Sequence, residues 1–87
     1  MRLTTVYGEH NMNIIVTMFN LSKSGQLNMT KKSILTLASI DSAEDILKLS
    51  VDENADTIFI SDCPLDLIDK LNNILPADTI VIAAMRG

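Results

Sequence analysis

The spacing of apolar positions changes several times along this chain. Leu3, Val6 and Tyr7, interleaved with Thr4 and Thr5, make a short β-type run over residues 3–7. Gly8-Glu9-His10-Asn11 breaks it. Ile14, Ile15, Val16, Thr17 and Met18 are rich in β-branched side chains, which predicts a strand over residues 13–19. Asn20-Leu21-Ser22-Lys23-Ser24-Gly25 has turn chemistry. Leu27 and Met29 alternate with Gln26, Asn28 and Thr30, as a short return strand would, so this stretch reads as a β-hairpin. Thr30 then suits a helix N-cap. Ile34, Leu37 and Ala38, with Leu35 beside them, make a stripe at helical spacing. Ser42 and Asp45 resemble a capping box that restarts the pattern, and Ala43, Ile46, Leu47 and Val51 continue it. Two short helices, or one bent helix, are predicted across residues 31–51.

The second half carries a near-repeat. Ala55-Asp56-Thr57-Ile58-Phe59-Ile60 recurs as Ala77-Asp78-Thr79-Ile80-Val81-Ile82. Between the copies, Leu67, Ile68, Leu71, Ile74 and Leu75 keep helical spacing, with Pro64 at the start and Pro76 as the stop. Strand, helix and like strand predict a βαβ unit with parallel, interior strands over 57–61 and 79–85. Both strands are apolar on both alternating sets, as strands covered on two faces are. The expected architecture is a single α/β domain over residues 1–87. It is a two-layer α+β sandwich with a mixed sheet, in which an N-terminal β-hairpin is followed by helices and a C-terminal βαβ unit.

Composition narrows the function classes. Hydrophobic residues are 47% of the 87 residues but aromatics only 3%, so Ile, Leu, Val and Met must fill the core. The net charge is −4 and the one basic pair is Lys31-Lys32. Nucleic-acid binding needs a basic stripe, so that partner class is not expected, and neither is an anionic membrane surface. The apolar runs 12–19 and 79–85 are too short or too interrupted to span a bilayer. The N-terminus has one Arg and no long apolar core, so no signal peptide is expected. The lone Cys63 cannot make an internal disulfide and suggests a reducing, cytoplasmic location.

Candidate chemistry is sparse. His10, the only histidine, could be a phosphate acceptor or a general base near neutral pH, or simply an exposed turn residue. Cys63 precedes a proline at a predicted helix start, where the helix dipole could activate its thiol; the plainer reading is a small capping residue. Asp62 and Asp66 follow the 57–61 strand at its C-terminal end, where open α/β sheets place ligands. Asp41, Glu44 and Asp45, then Asp52, Glu53 and Asp56, form two acidic clusters that could hold a hard cation, but the calcium-loop spacing is missing and solvated caps explain them. No metal site and no cofactor is assigned. Neither a Gly-rich phosphate loop nor a serine nucleophile elbow is present.

From Gly25 to Asp41 the chain reads Gly-Gln-Leu-Asn-Met-Thr-Lys-Lys-Ser-Ile-Leu-Thr-Leu-Ala-Ser-Ile-Asp. This resembles the regulatory-serine region of HPr-type phosphocarriers of the sugar phosphotransferase system. Lys32, Ser33, Ile34, Leu35, Leu37 and Ile40 match its order of basic residue, serine and hydrophobic pair. The resemblance implies a hairpin strand leading into a helix, with Ser33 as a regulatory phosphorylation site and His10 as a phosphocarrier histidine. The residues after His10, Asn11-Met12-Asn13, differ from the family's Ala-Arg-Pro.

Three functions follow as expectations. The first is a small non-catalytic regulatory or protein-interaction module that self-associates, because small domains bury a limited share of their surface and β-prone edges must be covered. The second is an HPr-like phosphocarrier or regulator phosphorylated at Ser33 or His10. The third is a metal-dependent enzyme using acidic residues.

Overall fold

A computed structural model describes residues 1–6, 11–27, 32–37 and 42–85; for Asn11 and Met12 only the backbone is described. Among the described residues seven elements alternate strictly: β1 (Arg2–Val6), α1 (Asn11–Lys23), β2 (Lys32–Leu37), α2 (Ala43–Asp52), β3 (Ala55–Cys63), α3 (Leu65–Ile74) and β4 (Ile80–Met85). The strands form one sheet in the order β1-β4-β3-β2, and every neighbouring pair is parallel.

The predicted βαβ unit is present. β3 and β4 are adjacent, parallel and central, joined by α3. The first half corrects the sequence reading. Residues 13–19, expected as a strand, lie within α1, and the sheet is parallel rather than mixed, with no hairpin among the described residues. The reason lies in the topology. β1 and β2 occupy opposite edges of a parallel sheet, so the chain between them must cross two strands, which a hairpin turn cannot do. As a helix the segment brings Ile15, Met18 and Phe19 to one side, and these pack on Phe59, Ile80, Ile82 and Ala84. That burial outweighs the β preference of Ile14-Ile15-Val16, which is worth only tenths of a kcal/mol per residue.

The turn residues predicted at 20–25 belong to the end of a helix. Gly25 has φ +81°, the amide of Gln26 donates to the Leu21 carbonyl at 3.0 Å, and the amide of Gly25 donates to the Ser22 carbonyl at 3.3 Å. This is a Schellman cap that ends α1, not the loop of a hairpin.

Residues 32–37, expected as the start of a helix, are β2. Ile34 and Thr36 point beneath α2 while Ser33 faces α1, so two of its three described α1-side positions, Leu35 and Leu37, are left part-exposed. The expected cap Thr30, the return-strand residue Met29 and the stripe residue Ala38 lie outside the described residues. The second expected helix start holds: the Ser42 hydroxyl accepts from the Asp45 amide at 3.2 Å and opens α2.

The sheet separates two apolar clusters. Ile58, Ile60, Val81 and Ala83 meet Ile46 of α2 and Leu67, Ile68 and Leu71 of α3 on one face. Phe59, Ile82 and Ala84 meet α1 on the other. The near-repeat does not map onto this ladder. Its copies are offset by 22 positions, whereas the sheet pairs Thr57 with Ile80 and Ile58 with Val81, an offset of 23. Because faces alternate along a strand, Ile58 and its repeat-mate Ile80 lie on opposite faces. Ala55 and Asp56 belong to β3, but Ala77 and Asp78 precede β4.

Candidate functional site

The strand order places a change of direction at β4. β1 leads into α1 on one face, and its sheet neighbour across β4, β3, leads into α3 on the other. Parallel sheets bind ligands at such points, beyond the carboxyl ends of the strands. The described part is the β3–α3 junction, Asp62 to Asp66. The segment after Val6, which includes His10, lies outside the described residues.

At this junction β3 leaves its regular register against β4: Ile60 pairs with Ala83 and Cys63 with Met85, so Ser61 and Asp62 together face Ala84 alone. Asp62 sits in this bulge at φ +52°, exposed to solvent. Left-handed backbone disfavours most side chains, but Asp tolerates it better than most. Cys63 has no solvent exposure, and its Sγ lies 3.5 Å from the Pro64 carbonyl, to which it donates. A thiol so enclosed is a core group, not an accessible nucleophile. Pro64 is the N-cap of α3, with extended backbone and no side-chain cap bond. Asp66 lies in the first turn of α3, exposed, where a carboxylate complements the helix dipole. The junction therefore presents two exposed carboxylates, Asp62 and Asp66, over a closed thiol.

The two acidic clusters are not brought together. Glu44 and Asp45 open α2, whereas Asp52 and Glu53 lie at its far end, eight residues on and about 12 Å along the axis. Glu53 pairs with Lys32 at 3.7 Å, and Asp56 accepts from the Thr57 hydroxyl at 3.1 Å. Asp41 lies outside the described residues. Among the described residues no three His, Cys, Asp or Glu side chains are grouped to hold a metal ion.

Ser33 stands on β2, only 6% exposed, with its hydroxyl 2.7 Å from that of Ser22 on α1. Ser22 also donates to the Phe19 carbonyl at 2.7 Å. Three features escaped the sequence reading. One is this hydroxyl pair joining α1 to β2. Another is Thr36, whose buried hydroxyl has no hydrogen-bond partner among the described residues. The third is the exposed apolar set Leu35, Leu37, Ile14 and Val16. A strand reading of residues 32–37 would have marked Leu35 and Leu37 as sharing one face.

No family model matches the chain, and neither the curated proteins nor the solved structures contain a significant match to it.

Proposed function

We propose that this domain is a small regulatory or protein-interaction module without catalytic activity, and that it self-associates. The observation that carries the reading is the state of the sheet's two outer edges. Among the described residues β1 and β2 each pair on one side only, and an edge strand offers a row of backbone groups to another chain. Leu3 on β1 and Leu35 and Leu37 on β2 are all more than a third exposed. A domain of this size hides a limited fraction of its surface by itself, and association hides more.

The phosphocarrier reading draws less support. A kinase must reach the serine hydroxyl, and that of Ser33 is buried and bonded to Ser22. Light scattering across a concentration series tests self-association: the expected mass is twice the 9.6 kDa of the chain. A mass of 9.6 kDa persisting at high micromolar concentration overturns it.

A further inference from the structure

The two edges are not equivalent, and neither are the two faces. α2 and α3 carry Glu44, Asp45, Asp52, Asp66 and Asp69 on the outside of one face. α1, which covers the other, has no acidic residue, although the chain has 11. Its exposed positions include Ile14 and Val16. Two copies, each of net charge −4, meet least like-charge repulsion where acids are missing, and that is the α1 side.

On that side the bare apolar surface gathers at β2. Register with β3 puts Leu35 beside Phe59 and Leu37 beside Ser61, on the α1 face. They are 37% and 42% exposed. One helix about 10 Å wide cannot cover four strands spaced about 4.8 Å apart, and α1 leaves β2's outer rim open. β1 differs: its α1-side positions are Arg2, Thr4 and Val6, with no pair of exposed leucines. Within β2 itself the stretch from Ser33 to Leu37 carries neither a charge nor a proline, the residues that commonly guard an edge.

Resting on the self-association reading, we infer that a second copy of this chain docks on β2, edge to edge and antiparallel, making one eight-stranded sheet across a two-fold axis. The charge on the strand selects this geometry. Lys32 is the only charged residue of β2. With Leu35 opposite its own mate, the two Lys32 residues sit at opposite ends, about 20 Å apart along the strands, beyond the ~8–10 Å reach of exposed charges at ordinary salt. A parallel pairing would set them side by side and would not close by two-fold symmetry. The axis stands perpendicular to the sheet, so both α1 helices lie on the same face. Leu35 then faces the partner's Leu35 at cross-strand distance, about 5 Å between Cβ atoms, while Leu37 stands opposite the partner's Ser33 and reaches the partner's Leu35 only diagonally, about 7–8 Å away.

The test compares the wild type with Leu35→Lys and with Val51→Lys, which places the same charge on an exposed residue of α2. Masses are read by light scattering, with circular dichroism to verify folding. The expected result is a dimeric wild type, a Leu35→Lys midpoint at least about tenfold higher in concentration, and Val51→Lys unchanged. A dimer equally insensitive to both variants overturns the β2 interface and leaves self-association standing. A wild type that is monomeric throughout overturns both. Should Leu35→Lys not fold, amide exchange of the wild type decides: β2 amides protected more strongly as concentration rises support the interface, and protection independent of concentration overturns it.

Discussion

Two residues hold stability in reserve, for opposite reasons. The Thr36 hydroxyl is buried on the α2 face of β2 without a hydrogen-bond partner among the described residues. An orphaned buried hydroxyl costs about 1–3 kcal/mol. Thr36→Val keeps the branched shape and removes the polar atom, so denaturant unfolding should show a gain of about 1 kcal/mol. A loss would mean that the hydroxyl has a partner after all. Asp62 holds a left-handed backbone in the bulge. Asp62→Gly should leave stability within about 1 kcal/mol of the wild type, whereas Asp62→Val should lose about 1–2 kcal/mol, as β-branched side chains do at positive φ. Equal thermal midpoints for the two variants would show that the bulge relaxes without strain. Neither residue announced itself in the sequence. A threonine inside an Ile-Leu-Thr-Leu run has no visible sign of an unmet hydrogen bond, and the left-handed position follows from a ladder shift that only pairing with β4 creates. The βαβ unit is legible in the sequence, which places Asp62 and Asp66 beyond a strand over 57–61 and Cys63 at the following helix start; β3 instead runs on through Asp62 to Cys63, and Asp66 lies in α3. That Cys63 is sealed while Asp62 is exposed depends on which way the bulge turns each side chain.

The elements differ in how strongly their own residues specify them. α3 was readable because its stripe, its entry proline and its stop proline agree. Leu71 is fully buried on its inner side and Asn72 is exposed. Leu71→Ala should cost about 2–5 kcal/mol, and Asn72→Ala under about 0.5 kcal/mol; urea denaturation of both checks this, and similar losses would reverse the helix faces. α1 was misread because composition and period disagreed. Four β-branched residues in a row, Ile14 to Thr17, favour a strand, while Ile15, Met18, Phe19 and Ser22 keep the helical interval and all face the sheet or β2. Here the interval was the better guide. β2 failed in the reverse sense. Six residues cannot distinguish one and a half helical turns from a strand, and the deciding partner, β3, lies beyond α2. The edge ladder from Ser33–Thr57 to Leu37–Ser61 is a long-range fact.

At the scale of the whole molecule the two layers beside the sheet are unequal. α2 and α3 share a broad cluster with Ile58, Ile60, Val81 and Ala83; among the described residues α1 alone covers the other face, through a small cluster around Ile15 and Phe59, whose ring meets Phe19 edge-on at 5.8 Å. Local opening follows the amount of buried apolar contact. Native-state hydrogen exchange should therefore find the α1 amides opening at lower free energy than those of β3 and β4. A single common opening energy would show that α1 unfolds only with the whole. The radius of gyration, 11.8 Å, is close to the ~12 Å of a compact chain this long, so the imbalance is one of layer thickness and not of loose assembly.

The strand order also sets a schedule. Among the described residues β1 pairs with β4 and with no other strand, so of these four strands the earliest made waits for the latest. Until then β3 has no neighbour on its β4 side, and its Thr57-Ile58-Phe59-Ile60-Ser61 stretch, uncharged and free of proline, is the sort of segment that joins other chains. A nascent chain halted before Ile80 would hold its N-terminal strand idle and that stretch uncovered, and would be a client for chaperones at the moment the finished protein ceases to be one.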